Sequence, residues 1–99
     1  MDATKKEEKK ELEAVPEGKM IVKVYAPFRN YFEGPATSIS AVNDTGPFDI
    51  LPGHHKFLTL INTCELDIRT GNDDSAEKIK IEKGIMFVKE DRVVVFLDV

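Results

Sequence analysis

The chain has 99 residues, of which 41% are hydrophobic and 32% are charged, and its formal net charge is −4 at pH 7. This length predicts one domain with a modest core, and the composition is typical of a globular protein with a solvated surface. The acidic balance argues against nucleic acid as a partner, because phosphate binding needs a concentration of basic side chains.

The distribution of apolar residues argues against two further classes of protein. No apolar run is long enough to span a bilayer, and the N-terminus lacks the apolar core of a signal peptide. The single cysteine, Cys64, has no partner for a disulfide within the chain, and it alternates with Leu66 and Ile68 as strand residues do. We therefore expect Cys64 to be a buried small hydrophobe rather than a reactive thiol.

Residues 1–18 differ in composition from everything that follows. They contain the stretch KKEEKKELEA, in which both signs of charge are interleaved and Leu12 is the one large apolar residue. A helix of this composition has no apolar stripe with which to pack. We predict a flexible extension, disordered or partly helical, that ends at Pro16 and Gly18, with residues 19–99 forming the domain. The alternative is a docking tail for a partner.

From residue 19 onward, short apolar and β-branched runs alternate with turn residues. The first run, MIVKVYA, ends at Pro27, and the pair Gly34 and Pro35 predicts a turn that starts a second strand through Ile39 and Val42. Residues 43–47 form a dense turn cluster. Further strands are predicted at residues 48–51, 57–61, 64–69, 78–82, 85–88 and 92–99, and no sustained helical period occurs among them.

Two of these strands have informative patterns. The run CELDIR alternates apolar with charged residues, and KIKIE does the same, so we predict a hairpin whose outer faces oppose acidic and basic side chains. The closing run RVVVFLDV is apolar at nearly every position, which is typical of a strand buried on both faces. The fold predicted from these patterns is all-β, an antiparallel β-sandwich or flattened barrel of about eight to ten short strands.

Candidates for chemistry are few. His54 and His55 are adjacent, so an extended strand would point their side chains to opposite faces, which is a poor arrangement for a shared metal ion. We instead expect a turn histidine at an exposed corner after Pro52 and Gly53. Motifs for nucleotide cofactors or an activated nucleophile are not found, and the acidic pairs lie in predicted turns. We predict no metal site, no cofactor and no catalysis by the chain alone.

A family resemblance runs through the predicted strands. The run FDILPGHH at residues 48–55 resembles a segment of the ε subunit of F-type ATP synthases, and an apolar strand, FLTL, follows it. Upstream, VYAP and FEG look like that family's opening strand and turn. Downstream, ELDIR, GIMFV and RVVVFLD are similar to its later strands in the same order. Together these matches extend from about Met20 to Val99, which is more specific than any one motif.

The resemblance implies a rotor subunit of a proton-translocating F-type ATP synthase that couples the γ subunit to the membrane c-ring without being catalytic itself. It implies a peripheral complex on the cytoplasmic face of a bacterial membrane, or the organellar equivalent. By its place in the motif, His54 is the candidate for contact with the ring, at a corner that Pro52 and Gly53 fix. Ala26 and Pro27 match a second family segment, near the γ and ring contacts. The partner-binding residues that the resemblance implies are therefore Ala26, Pro27, Pro52, Gly53, His54 and His55.

Two alternatives to this interpretation concern function and length. A free-standing sandwich that binds other proteins without a motor is the main functional alternative, and a small hydrolase or ligand-binding domain is a further one. In the family the sandwich is usually followed by a helical hairpin that inhibits ATP hydrolysis, whereas this sequence stops at Val99. We therefore expect either a naturally short variant or a piece cut at the domain boundary.

Overall fold

The computed structural model describes residues 15–71 and 76–98. These residues form nine β-strands in two sheets, which confirms the predicted all-β sandwich. The prediction of a flexible extension falls mainly on residues 1–14, which lie outside the described residues. In chain order the strands are β1 (Met20–Ala26), β2 (Arg29–Ala36), β3 (Ser38–Asn43), β4 (Gly46–Ile50), β5 (Phe57–Ile61), β6 (Cys64–Arg69), β7 (Ala76–Ile81), β8 (Gly84–Lys89) and β9 (Arg92–Leu97).

One sheet has five strands in the order β2-β1-β9-β8-β5, and the other has four in the order β4-β3-β6-β7. Neighbouring strands are antiparallel except for β1 and β9, which are parallel. The tight turn at Glu90 and Asp91 makes β9 antiparallel to β8, and β9 then inserts between β8 and β1. Its direction relative to β1 is therefore fixed by the order of the strands, which local sequence patterns do not report.

The core lies between the two sheets and is built from alternate positions of their strands. Both sheets supply fully buried aliphatic side chains, each worth about 1.5–3 kcal/mol of stability relative to exposure. The largest of them are Met20, Ile39, Ile50, Ile61, Leu66, Ile68, Met86 and Leu97. Burial of these inward-facing side chains holds strands that are far apart along the chain together in one sandwich.

The hairpin of β6 and β7 is confirmed in its register. Leu66 lies opposite Ile79 on the core side, and Glu65 lies opposite Lys80 on the outer side. Cys64 is half-buried and packs against the core, which agrees with its predicted role as a small hydrophobe. The alternation of apolar and charged residues therefore determined which residues pair in this hairpin and which of its sides faces the core.

The predicted turn at Gly34 and Pro35 is wrong. Both residues lie inside β2, where Pro35 pairs with Ile21 of β1. β2 is an edge strand, so one side of its backbone needs no hydrogen-bond partner, and an edge tolerates the missing N–H of proline. The reversal between β1 and β2 instead occurs at Pro27 and Phe28.

The prediction that the closing strand is buried on both faces is also wrong for this chain. In β9, Val93, Val95 and Leu97 point into the core, whereas Phe96 on the opposite face is 38% exposed. The other outward apolar residue of β9, Val94, is half-buried by its neighbours in the sheet. The five-stranded sheet has the core on one side and, within the described residues, no second layer on the other.

Candidate protein-interaction surface

Apolar side chains cover the outer face of the five-stranded sheet. Strand register places Leu60 beside Ile85, Ile85 beside Phe96, and Phe96 beside Tyr25, so these four form one row across the sheet. A second row runs from β5 to β9 in the same way. We define the apolar face as the seven outward residues of the two rows, Tyr25, Leu58, Leu60, Ile85, Phe87, Val94 and Phe96.

The apolar face is open to solvent. Leu58 and Leu60 are 66% and 68% exposed, and Ile85 is 44% exposed. At the far side of the first row, the rings of Tyr25 and Phe96 meet edge-on with their centroids 5.2 Å apart. Monomeric proteins seldom expose a continuous apolar patch larger than a few hundred Å², and larger patches mark sites of association. The apolar face therefore has the character of a protein-binding surface.

Charged residues border the apolar face. The Lys23 ammonium lies 5.1 Å from the centre of the Tyr25 ring, and Lys23 pairs across the strands with Glu33. Beside the second row, the next outward pair along β8 and β9 is Lys89 and Arg92. An apolar centre with a charged rim is the usual anatomy of a protein–protein interface, because the centre is desolvated and the rim stays wet.

A depression of about 290 Å³ lies at one end of the apolar face. It is lined by Leu60, Ile85 and Phe96 of the face and by Lys83, Gly84 and Asp98. Gly84 itself points into the core, where an added Cβ would lie 3.0 Å from the carbonyl oxygen of Phe96. The depression has the size and apolar lining to receive a side chain from a partner, as the anchor pockets of interfaces do.

The outer face of the four-stranded sheet is different in kind. Most of its outward positions carry hydroxyl or charged groups, with Val42 and Pro47 as apolar exceptions, and the Ser40 hydroxyl donates to the Asp49 carboxylate at 2.5 Å. We define the charged face as the outward residues Ser38, Ser40, Asp49, Glu65, Asp67, Lys78 and Lys80. Water solvates such a face without a partner, so the charged face needs no cover.

The predicted corner at Pro52 and Gly53 lies in the connection between β4 and β5. Gly53 has a φ of 87°, in the left-handed region that favours glycine. Its N–H donates to the Asp91 carboxylate at 2.7 Å, and Asp91 belongs to the β8–β9 turn, where its own φ is 61°. The corner is therefore tied to the neighbouring turn, and it presents the two histidines at that end of the sandwich.

His54 and His55 lie in the connection before β5, where the sequence predicted a turn histidine after Pro52 and Gly53. Their rings are stacked with centroids 5.1 Å apart, and the His54 ring meets Phe57 edge-on at 5.3 Å. The alternation of strand side chains does not apply to them, because β5 begins at Phe57 and both histidines precede it. The Nδ1 atom of His54 lies 2.8 Å from the backbone oxygen of His55, as expected of a turn histidine that bonds nearby backbone.

The two predicted contact segments lie at opposite ends of the five-stranded sheet. The corner with His54 is beside the start of β1, whereas Ala26 and Pro27 end that strand. Since a strand rises about 3.3 Å per residue, the length of β1 separates the two ends by about 20 Å. The side chain of Ala26 is buried, and Pro27 is exposed. The two segments are therefore separate sites on the sandwich.

The sequence patterns did not lead us to predict the apolar face or the exposed turn between β1 and β2. Phe28 in that turn is fully exposed, at 101% of its reference area. The signal for the face was present, since FLTLI, GIMFVK and RVVVFL are each apolar at both strand parities. A strand that is apolar on both faces is expected to pack against another layer on each face, and the second layer can belong to another protein.

Within residues 15–71 and 76–98, no three His, Cys, Asp or Glu side chains are grouped closely enough to hold a metal ion. The same segments contain no helix with the length and apolar character to cross a membrane.

Comparison with known proteins assigns the fold to a family. A family model described as "ATP synthase, Delta/Epsilon chain, beta-sandwich domain" matches residues 19–99. The ATP synthase epsilon chain of Prochlorococcus marinus strain MIT 9211 is 38% identical over 80 residues, which cover 80% of this chain and 57% of that relative. The epsilon chain of Trichlorobacter lovleyi is 28% identical over 80 residues, covering 81% and 56%. The chain spans a little more than half the length of these curated relatives.

Solved structures share the fold at low sequence identity. A chain of the mitochondrial ATP synthase central stalk and c-ring of Tetrahymena thermophila superposes with a TM-score of 0.67 at 14% identity, covering 80% of this chain and 63% of that one. A chain of the Euglena gracilis mitochondrial ATP synthase gives a TM-score of 0.75 at 15% identity, covering 84% and 52%. The resemblance seen in the sequence is thus confirmed by the family match, and the chain belongs to the family of ATP synthase delta/epsilon chain β-sandwich domains.

Proposed function

We propose that this chain is the sandwich part of an ε-type rotor subunit and that its apolar face binds the γ subunit of an F-type ATP synthase. The observation that carries the proposal is the continuous apolar face on the five-stranded sheet, opposite a charged face that needs no partner. Family membership supports the same function, because the relatives are named ATP synthase epsilon chains. The chain is then a non-catalytic part of a membrane-associated complex.

The geometry of the apolar face suits a persistent contact better than a transient one. Its aliphatic and aromatic side chains stand on paired strands, so little conformational entropy is lost when a partner covers them. Phe87 and Ile85 stand near the centre of the face on β8, with β5 and β9 on either side. Central residues that become fully desolvated contribute most of the binding energy in an interface. We therefore expect Ile85 and Phe87 to anchor γ.

A rotor coupling subunit has to transmit torque without deforming. The two sheets share one core of interdigitated side chains, and close-packed cores resist shear. The bond from Gly53 to Asp91 fastens the β4–β5 connection to the β8–β9 turn, so this end of the sandwich is tied to the sheet that carries the apolar face. A force applied at this end passes to γ through paired strands rather than through a free loop.

The c-ring would meet one end of the sandwich. The sequence prediction assigns the ring to the corner with His54 and His55, supported by its attachment to Asp91. The opposite end is the competing site, because Phe28 is fully exposed there. The two ends are about 20 Å apart along β1, so they are separate candidates for the ring contact.

The test is binding of the purified chain to γ alone and to the γ–c-ring complex of the same organism. We expect the unmodified chain to bind γ, and the double variant His54→Ala/His55→Ala to bind γ equally well but the γ–ring complex more weakly, with an unchanged circular dichroism spectrum. Phe28→Ala is the matched variant at the other end, and it should leave ring binding unchanged.

Loss of ring binding in Phe28→Ala, with none in the histidine variant, would move the ring contact to the opposite end. Failure of the unmodified chain to bind γ would contradict the proposed function and favour the free-standing interaction module.

A further inference from the structure

The sandwich has four edge strands, and three of them carry features that prevent further strand pairing. β2 contains Pro35, β4 contains Pro47, and β7 reads AEKIKI with charges at three of six positions. Proline and charge on an edge block the addition of another strand. The fourth edge, β5, reads FLTLI and has neither. Among the residues that the structure describes, it is the edge that neither proline nor charge protects.

Hydrogen bonding in the neighbouring strands shows which backbone groups of β5 face its open side. The Asp98 N–H donates to the Lys83 oxygen at 3.1 Å, so odd-numbered residues of β8 bond to β9 and even-numbered ones bond to β5. In the β5–β8 register the even-numbered residues of β8 face odd-numbered residues of β5. The N–H and C=O groups of Leu58 and Leu60 consequently point away from β8.

The next residue of the same parity confirms this direction. The Asn62 N–H donates to the Val42 oxygen of β3 at 2.9 Å, on the side of β5 away from β8. Among the residues that the structure describes, no other segment gives a backbone hydrogen bond to Leu58 or Leu60. Beside them lies a groove of about 290 Å³, bounded on its far wall by Asn43, Asp44 and Thr45.

We propose that the open edge of β5 is a strand-addition site that receives an extended segment of the γ subunit bound on the apolar face. This inference rests on the proposed function, because Leu58 and Leu60 belong to both surfaces. Their side chains stand on the apolar face and their backbone groups point to the edge, so a partner covering the face reaches the edge without a break. Main-chain pairing of this kind supplies affinity, and alternate side chains supply specificity.

The surroundings of the edge define the chemistry of the added segment. On one side its side chains would lie next to Leu58 and Leu60, which favours apolar residues two positions apart. On the other side the residue between them would face the groove wall, where Asp44 is exposed and carries the one charge among the described lining residues. The segment therefore has an apolar–cationic–apolar pattern, with lysine or arginine at its centre.

The first experiment measures amide hydrogen exchange by NMR on the isotope-labelled chain, with and without purified γ. We expect the amides of Leu58 and Leu60 to exchange at least about tenfold more slowly when γ is bound, since exchange requires an open hydrogen bond. The amides of β2, on the guarded edge of the same sheet, serve as the internal control and should not change.

A pair of variants separates the edge from the face. Leu60→Ala removes the side chain and keeps the N–H, whereas Leu60→Pro removes both and leaves the β5–β8 bonds in place, because this N–H points to the open edge. We expect Leu60→Pro to bind γ at least about fivefold more weakly than Leu60→Ala, the equivalent of about one net hydrogen bond. Circular dichroism checks that both variants fold.

Each outcome decides between the two proposals. If γ binds while exchange at Leu58 and Leu60 stays unchanged, strand addition is wrong and the proposed function stands. If γ does not bind at all, both fall. If these amides become protected in the chain alone as its concentration rises, a second copy of the chain occupies the edge and the assignment to γ is overturned.

Discussion

The two sheets of this sandwich have inner faces of the same character and outer faces of different character, one mostly charged and the other apolar. Leu66 of the four-stranded sheet and Met86 of the five-stranded sheet are both fully buried in the shared core. On the outside, the four-stranded sheet presents the charged face, and the five-stranded sheet presents the apolar face. Burial within the chain thus explains one apolar side of each sheet and leaves the second apolar side of the five-stranded sheet unexplained.

This difference separates stability from binding within a single small domain. Apolar side chains on the inner faces stabilise the fold, because folding removes them from water. Apolar side chains on the outer face contribute little to the fold, since they remain exposed after folding. Their contribution comes when a partner covers them, so substitutions on the two sides of one sheet affect different measurements.

The largest effect on stability is expected from a leucine of the core. Leu66→Ala should lower the free energy of unfolding by about 2–5 kcal/mol, because it removes buried methyl groups and leaves a cavity. Leu60→Ala, the same substitution at a 68% exposed position, should change it by less than about 0.5 kcal/mol. Urea denaturation of both variants measures the difference, and similar losses in the two would show that the apolar face is covered within the chain.

The next effect is on binding rather than folding. Ile85→Lys places a charge at the centre of the apolar face, and we expect affinity for γ to fall by about 30-fold or more, corresponding to a hot-spot loss of about 2 kcal/mol. Calorimetric titration with purified γ measures it.

The matched control for this variant introduces the same side chain on the charged face. Ser40→Lys places lysine next to Asp49, where water and a carboxylate accommodate it, and its affinity for γ should equal that of the unmodified chain. Equal losses in Ile85→Lys and Ser40→Lys would contradict the assignment of γ to the apolar face.

The smallest effect concerns the charged face itself. Glu65 and Lys80 are cross-strand partners, and a double-mutant cycle with alanine at both positions should give a coupling free energy of about 0.2–1 kcal/mol. The coupling should decrease as salt is added, because the pair is exposed. A coupling that salt does not change would indicate packing rather than charge as its source.

Local sequence patterns predicted the strands well where each strand has one apolar and one polar side. The β6–β7 hairpin is the clearest case, since a slip of one residue would expose Leu66 and Ile68 and bury Glu65 and Lys80. Prediction failed where an edge relaxed the rules, as at Pro35 in β2, and where the outer side of a strand has no cover within the described residues, as at Phe96 in β9. Both failures have the same origin, because pairing and burial depend on neighbours that the local sequence does not name.

The candidate site was predicted in part. The run FDILPGHH identified the family and the corner at Pro52 and Gly53, whereas the attachment of this corner to Asp91 came from the structure. The distance between that corner and Pro27 could not be read from the sequence, because it depends on β9 inserting next to β1. The strands that are apolar on both sides could be read from the sequence, but their assembly into one face could not, since it depends on β1 pairing with β9 and β5 pairing with β8.

By itself the sequence determined the class of fold, the family and the inward set of apolar residues, because alternation with a period of two and turn chemistry are local properties. The order of the strands was decided by the tertiary structure. That order made Pro35 an edge residue, set the predicted contact segments at opposite ends, and assembled seven apolar side chains from four strands into one exposed face. Contacts between residues far apart in the chain create such a surface, and no stretch of sequence contains it.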